Sequence, residues 1–229
     1  KRKNQPNKLY KIQRAEIEIK SVSTKVPEKA KLDDCVGYIR LSSFISKNAT
    51  TEFEAALNQY KNKKGFIIDL RSNPGGLLSN AILISDMFLN GGIIVSTVDR
   101  DGYKETTRAT RSYVTDKPVV ILINKGSASA SEIFSGAMKD NKRALLVGEN
   151  TFGKGLVQEV NKLMGGSGAN ITIQKYLTPN GTDINKKGIA PDVTVELTEE
   201  NIKAKDDVQL KKANELLVQM IKNQSVCVK

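Results

Sequence analysis

The sequence contains no histidine. A Ser/His/Asp triad, a Cys/His pair and an H-E-x-x-H zinc site each need an imidazole, so this absence excludes all three. Tryptophan is also absent, and aromatic residues make up only 5% of the chain. If the protein is a hydrolase, its general base must be a side chain other than histidine.

Cysteine is scarce and long apolar runs are missing. Cys35 and Cys227 lie far apart and outside any C-x-x-C arrangement, which indicates neither a zinc site nor a redox motif and leaves a disulfide open. No apolar run approaches the roughly 20 residues that cross a bilayer. The first residues, KRKN, lack the apolar stretch of a signal peptide. With 39% hydrophobic and 27% charged residues, the 229-residue chain has the composition of a soluble globular protein.

The formal net charge is +11. Clustered Lys and Arg would favour nucleic acid or an anionic membrane surface, because binding releases counterions. Here the basic residues are spread along the chain, and no stacking aromatics are interleaved with them. We therefore predict a solvated basic surface and no nucleic-acid partner, and we keep a charge-driven binder as a rival hypothesis.

The order of predicted elements is that of a layered β-α-β core. Short apolar runs favour buried strands, and apolar residues at helical spacing favour helices between them. We predict a mixed α/β (α+β) fold with additional strands and a C-terminal amphipathic helix. The predicted strands are residues 36–41, 66–70, 93–98, 103–110, 118–123, 144–147, 156–160, 169–176 and 193–197, and the helices are 51–60 (with Thr50 or Thr51 as N-cap), 77–89, 129–140 and 206–222.

A serine-rich segment, GSASASE at residues 126–132, lies where a predicted strand gives way to a helix. The first-turn amides and the positive end of the helix dipole can stabilise an oxyanion there, so the junction suits a nucleophile. The alternative is that these serines only cap the helix. Local sequence alone does not choose among Ser127, Ser129 and Ser131.

A second segment, TFGKGL at residues 151–156, places Lys154 between two glycines and near apolar residues. A lysine acts as a base near neutral pH only when burial or a neighbouring positive charge lowers its pKa from about 10.4. The alternative is a solvated turn lysine. The segment does not fit a phosphate-binding loop, because Gly155 stands where that motif needs Ser or Thr.

Taken together, several segments resemble the carboxyl-terminal processing proteases, also called tail-specific proteases. The resemblance covers most of the chain from about Leu9 onward. The motifs are DLRSNPGG at 69–76, GSASASEI at 126–133, RA at 143–144, GE at 148–149, TFGKG at 151–155 with Gln158, YLTPNG at 176–181 and GIAPD at 188–192.

The resemblance implies a Ser/Lys endopeptidase that forms an acyl-enzyme. Ser129 falls on the family's nucleophile, Lys154 on its general base, and Gln158 on the glutamine that orients the lysine. The family's oxyanion hole falls on the backbone amides of Gly75 and Ala130, which suits a turn without a side chain and the first residue of a helix.

Other residues receive supporting roles. Asp140 resembles a family aspartate, with a structural or supporting function. Ser127 and Ser131 shape the turn, and Glu132 and Asp69 hold local structure. Arg71 pairs with Asp69 or with a substrate carboxylate, and we favour the first.

The domain organisation follows from the same resemblance. Residues 9–19 alternate like a strand, which suggests that the sequence begins inside a larger protein. We predict residues 1–13 as the remnant of a preceding PDZ module, 14–205 as the protease core and 206–229 as a C-terminal helical segment, whose apolar face could cap the core or meet another subunit. Membrane anchoring through residues outside the sequence stays open.

The implied partners are proteins with exposed, largely apolar C-terminal tails, and the implied location is exported. The resemblance implies no metal and no cofactor. A rival from another class is a catalytically inactive peptide-binding or scaffolding module of the same fold. The presence of both Ser129 and Lys154 argues against it.

Overall fold

The computed structural model describes residues 6, 9–13 and 20–226. A six-stranded sheet forms the centre. Its strands are β1 (Val22–Ser23), β2 (Val36–Leu41), β3 (Gly65–Asp69), β6 (Val119–Ile123), β7 (Leu145–Gly148) and β10 (Val193–Thr194). They lie in the order β1-β2-β3-β6-β7-β10, with β1 antiparallel to β2 and the other neighbouring pairs parallel.

A second, antiparallel sheet has the order β5-β4-β9-β8. Its strands are β4 (Ile93–Asp99), β5 (Lys104–Arg108), β8 (Leu156–Lys162) and β9 (Gly168–Leu177). The turn between β8 and β9 contains Gly165 and Gly166, both at positive φ. The glycine pair therefore lies in the hairpin that joins the two strands predicted at 156–160 and 169–176.

Helices cover both faces of the central sheet. They are α1 (Ala49–Gln59), α2 (Leu78–Asp86), α3 (Ala130–Asp140), α4 (Glu199–Ala204) and α5 (Val208–Val226). One apolar cluster joins the sheet to α1, α2 and α3, with Phe53 and Phe134 among its fully buried side chains. A second cluster joins the opposite face to α5, through Leu210 and Leu217.

The two clusters arise because side chains along each parallel strand alternate between the two faces of the sheet. In β2, Tyr38 belongs to the α5 cluster and Ile39 to the other, because successive side chains point to opposite faces. Strands β3 and β6 are buried along their whole length, as expected for strands covered on both faces. The mixed α/β fold predicted from the sequence is confirmed.

Some predicted boundaries are wrong. Asn48, not Thr50 or Thr51, precedes α1, and both threonines lie inside the helix. The strand predicted at 193–197 has only two residues in β10, and α4 follows it without having been predicted.

Several predictions concern residues outside the described part of the chain. Most of the strand predicted at 9–19 and of the PDZ remnant at 1–13 lies there, and so does Cys227. In the residues that are described, no helix has the length and apolarity to cross a bilayer.

Candidate active site

The loops that carry the motifs meet at the carboxyl edge of the parallel strands, where ligands bind in open α/β sheets. Residues 70–77 follow β3, residues 124–129 follow β6, and residues 149–155 follow β7. Direct hydrogen bonds join these loops: Ala128 N donates to Asn73 O at 3.0 Å, and Phe152 N donates to Ser127 O at 3.0 Å.

Ser129 directly precedes α3 and has a strained backbone, with φ 56° and ψ −115°. A non-glycine residue in this region costs of order 1–3 kcal/mol, and such strain clusters at functional sites. Ser129 is half-buried, whereas Ser127 and Ser131 are buried. The hydroxyls of those two donate to the carbonyls of Leu70 (2.8 Å) and Asn73 (2.9 Å). Their side chains are thus committed to the turn, which singles out Ser129.

The fully buried carboxylate of Glu132 links the serine turn to the lysine loop. Its Oε1 accepts hydrogen bonds from Thr151 Oγ1 (2.6 Å) and Gly153 N (2.7 Å). Its Oε2 accepts from the backbone amides of Ser129 (2.8 Å) and Lys154 (2.9 Å). Four donors converge on the carboxyl group of one buried side chain, so the segments around residues 129 and 154 are held side by side.

Lys154 and Gln158 are both exposed. A lysine that acts as a base near neutral pH was expected to be buried. That prediction is wrong for Lys154, whose side chain is exposed. A Cβ at Gly153 or Gly155 would lie within 3.0 Å of backbone atoms in residues 185–188. The two glycines thus let the backbone of this loop pack closely against residues 185–188, while the Lys154 side chain lies in solvent.

Gly75 lies directly against the serine turn of residues 127–131. A Cβ at this position would come within 2.6 Å of Ala128 O and 2.9 Å of Ala130 N, and its φ is 96°. Its own amide donates to Asn73 Oδ1 at 2.9 Å. The Ala130 amide has no acceptor among the described residues. The two predicted oxyanion donors are therefore adjacent. Among the described residues, the Gly75 amide has a hydrogen-bond acceptor and the Ala130 amide has none.

Asp140 lies at the opposite end of α3 from Ser129. The helix has 11 residues, so roughly 16 Å separates its two ends at 1.5 Å per residue. Asp140 Oδ2 accepts a hydrogen bond from Asn180 N at 2.9 Å. This contact holds the turn that follows β9 and does not bring Asp140 to the serine.

Asp69 and Arg71 form a buried ion pair at the end of β3, with 2.7 Å between Arg71 Nη2 and Asp69 Oδ2. Burial alone raises the pKa of Asp69, but Arg71, Arg40 and a hydrogen bond from Tyr38 outweigh it and lower that pKa. Burial, and then the charge of Asp69, raises the pKa of Tyr38. The carboxylate is therefore ionised and the phenol neutral, as their 2.8 Å hydrogen bond requires.

Two functional contacts were not predicted from the sequence. The sequence indicates only a local role for Glu132, although its position three residues after Ser129 is the spacing of a capping box. That signal predicts the bond to Ser129 N and not those to Thr151, Gly153 and Lys154. No sequence pattern indicates that Asp207, which lies 136 residues further along the chain, binds Arg71.

A serine in a strained turn between a buried parallel strand and the start of a helix is the arrangement that also surrounds the nucleophilic serine of α/β-hydrolases. A match to the model of peptidase family S41 extends over residues 35–195, and the chain belongs to this family. The resemblance seen in the motifs is thereby confirmed.

Curated relatives are similar over much of the chain. It is 45% identical over 225 residues to the carboxyl-terminal-processing protease of Synechocystis sp. (strain ATCC 27184 / PCC 6803 / Kazusa), which covers 88% of this chain and 52% of that protein. It is 47% identical to the protein of that name from Picosynechococcus sp. (strain ATCC 27264 / PCC 7002 / PR-6), over 82% of this chain and 45% of the relative. The chain spans about half the length of these relatives.

Solved structures share the fold. A photosystem II D1 C-terminal processing protease superposes with a TM-score of 0.70 at 35% identity, over 79% of this chain and 49% of that one. Mature CPAF reaches a TM-score of 0.70 at 19% identity, over 82% of this chain and 52% of that one. The second likeness shows the fold alone.

Proposed function

We propose that this chain is the catalytic core of a serine endopeptidase in which Ser129 is the nucleophile and Lys154 the general base. Ser129 Oγ attacks a peptide carbonyl carbon while Lys154 accepts the hydroxyl proton. The peptide C–N bond then breaks, Lys154 returns the proton to the leaving amine, and water hydrolyses the remaining acyl-enzyme ester to release the carboxyl product and free Ser129. The observation that carries the proposal is the single oxygen, Glu132 Oε2, bonded to the amides of both residues. Because both backbone nitrogens bond the same oxygen, the distance between Ser129 N and Lys154 N cannot exceed the sum of the two hydrogen-bond lengths.

The exposure of Lys154 requires a second step in the proposal. A neutral amine needs an environment poor in water, because desolvation disfavours the charged form. In this mechanism the bound substrate covers Lys154 and supplies that desolvation. Gln158, four residues on at a β-bulge in β8, is placed to orient the amine once the site is covered.

The oxyanion hole follows from the same geometry. The amide of Ala130 points out of the first turn of α3 with no acceptor among the described residues, and the helix dipole favours negative charge there. Gly75 becomes the second donor when its amide exchanges Asn73 Oδ1 for the oxyanion. The positive φ of Gly75 permits its close approach to the serine turn.

Exposed apolar side chains on the loops around Ser129 support substrates with apolar C-terminal tails. Ile45 is 63% exposed, Leu77 41% and Phe152 65%. Each lies on a segment bonded to the site: the backbone of Ile45 contacts Gly76, Leu77 N donates to Phe44 O, and Phe152 N donates to Ser127 O. Apolar surface grouped in this way is typical of binding sites.

The remaining parts of the proposal concern location and cofactors. Two relatives from Arabidopsis thaliana are named chloroplastic processing peptidases. We place this protein outside the cytoplasm as well, among exported proteases. The serine and lysine supply both the nucleophile and the base, so cleavage is expected to continue undiminished in a chelator.

The experiment compares the wild type with Ser129→Ala and Lys154→Ala on a loosely folded protein substrate, with cut sites located by mass spectrometry. Both variants should lose cleavage by at least about a hundredfold, since each removes a participant in bond formation. Lys162→Ala, which changes a lysine on the same strand as Gln158, is the matched control and should cleave normally. Wild-type rates in Lys154→Ala would overturn the assignment of the base.

One observation favours a second function. The solvent-exposed side chain of Lys154 fits a module that binds peptide tails without cleaving them. A fluorophosphonate probe separates the two, because it reacts only with an activated serine. Labelling of Ser129 at a rate that falls in Lys154→Ala supports the peptidase, and peptide binding without any labelling supports the binding module.

A further inference from the structure

Arg71 is bound from two directions at once. On one side, Asp69 accepts from its Nε (3.0 Å) and Nη2 (2.7 Å). On the other, the two carboxylate oxygens of Asp207 accept from its Nη1 (2.7 Å) and Nη2 (2.8 Å), and Gln209 Oε1 accepts from its Nη1 (3.1 Å). A guanidinium has five N–H donors, and all five are satisfied here. None remains to bind a substrate carboxylate.

Asp207 belongs to the start of α5. Its Oδ1 also accepts from Leu210 N at 2.9 Å, which caps the helix. The neighbouring Gln209 is buried and donates from its Nε2 to Val195 O at 2.8 Å. The first turn of α5 is thus fixed to the sheet and to Arg71 by the same few side chains.

On its other side, Arg71 begins the loop that faces the nucleophile. Ser72 follows at φ 58° and Gly75 at φ 96°. Between them, Asn73 O accepts from Ala128 N (3.0 Å) and from Ser131 Oγ (2.9 Å), the residues that flank Ser129. The loop of residues 71–76 therefore connects Arg71 directly to the serine turn.

We propose that Asp207 is a positioning residue for the peptidase site: through Arg71 it fixes the loop of residues 71–76 against Ser129. The proposal rests on the proposed function for its catalytic meaning. Without Asp207, two guanidinium N–H groups lose their acceptors inside the protein, where unpaired donors are unfavourable. Arg71 then shifts toward other acceptors, and the loop that carries Gly75 loses its fixed position.

The test separates helix capping from the ion pair. Asp207→Ser retains a good N-cap residue and removes the acceptors for Arg71. Asp207→Glu keeps the charge and should restore part of the activity. Asp206→Asn is the matched control, because among the described residues the side chain of the adjacent Asp206 pairs with Lys211 alone. All variants are assayed well below their melting temperatures, in the 229-residue chain.

We expect Asp207→Ser to lower kcat by about tenfold or more, with KM changed by less than about threefold, since a small misplacement of reacting groups can cost up to a hundredfold in rate. Amide hydrogen exchange should become faster in residues 70–77, with α1 unchanged. If exchange in that loop and kcat both match those of Asp206→Asn, the proposal is wrong.

The two hypotheses fail in different ways. If the wild type neither cleaves substrates nor reacts with the fluorophosphonate, the proposed function is wrong. Hydrogen exchange in residues 70–77 still decides whether Asp207 positions the loop, because that readout needs no catalysis. Faster exchange spread evenly over the whole of Asp207→Ser would show general destabilisation and would also overturn the positioning role.

Discussion

The backbone amides of Ser129 and Lys154 share one acceptor, Glu132 Oε2, at 2.8 and 2.9 Å. These residues are 25 positions apart in sequence and belong to loops after different strands. Hydrogen bonds accepted by a carboxylate are shorter and stronger than those between neutral groups. One buried side chain therefore joins the two segments, in addition to the backbone hydrogen bond from Phe152 N to Ser127 O.

Glu132→Gln should weaken both the fold and the site. The amide group of glutamine replaces one acceptor by a donor, which would face two of the four N–H and O–H groups that now point at the carboxylate. We expect a loss of about 2–4 kcal/mol in the free energy of unfolding and at least a tenfold loss of peptidase activity. Urea titration and a cleavage assay measure the two effects.

The control for this change is Glu159→Gln, on the exposed part of β8. It should leave both quantities close to wild type. A Glu132→Gln protein that is as stable and active as this control would show that the shared carboxylate does not hold the two loops together.

The strain at Ser129 can be measured by comparing two variants that both lack the hydroxyl. Glycine adopts positive φ without the Cβ penalty, so Ser129→Gly should be more stable than Ser129→Ala by about 1 kcal/mol. Thermal or urea unfolding gives the difference. Neither variant should react with a fluorophosphonate.

The same pair of changes at Ser131 should give the opposite sign. Ser131 lies inside α3, where glycine is less favourable than alanine by about 1 kcal/mol. Should Ser129→Gly prove less stable than Ser129→Ala, the backbone at Ser129 would not be strained in solution.

Tyr38 gives a prediction on pH. Its folded pKa is raised, whereas a free tyrosine titrates near 10. A raised folded pKa means that the stabilisation is complete below pH of about 10 and declines as the pH rises through the folded value. The wild type should therefore exceed Tyr38→Phe in stability by about 1–3 kcal/mol at pH 8, and this excess should shrink above pH of about 10.

Tyr103→Phe provides the comparison, because Tyr103 is 69% exposed. Its difference from the wild type should stay near zero over the same pH range. A constant difference for Tyr38→Phe between pH 8 and 11 would contradict a phenol kept neutral against Asp69.

Asp140→Ala, which removes the side-chain acceptor, tests whether this aspartate supports the structure alone. Asp140 binds the turn at Asn180 and is separated from Ser129 by the length of α3. We expect a loss of about 0.5–1.5 kcal/mol in stability, the usual value for one hydrogen bond, and an unchanged kcat/KM at 25 °C. A tenfold fall in kcat/KM with unchanged stability would instead assign Asp140 to the catalytic apparatus.

Much of the central sheet was predictable because buried parallel strands are continuous apolar runs. The predicted strand at 36–41 coincides with β2, and the predicted strand at 118–123 differs from β6 by one residue. Weak signals misled the prediction elsewhere. Asn48 precedes α1 although two threonines, also good N-cap residues, follow it within three positions.

The site was predictable only as far as local motifs reach. The strand-to-helix turn marks the serine-rich segment at 126–132 without choosing among its three serines, and the glycines mark a tightly packed loop around Lys154. Whether the lysine side chain is covered depends on elements from other parts of the chain, and here it is exposed. The contacts of Glu132 with the lysine loop and of Arg71 with Asp207 join distant segments, so no local pattern predicts them.

The acceptors that surround Arg71 come from residue 69 on one side and from residues 207 and 209 on the other. The chain emerges from the ribosome with its N-terminus first, so Ser129, Glu132 and Lys154 all emerge before Asp207 does. Arg71 therefore gains the acceptors of residues 207 and 209 only after the segments around Ser129 and Lys154 have been translated. During synthesis, the contacts around Arg71 are the last of these to be completed.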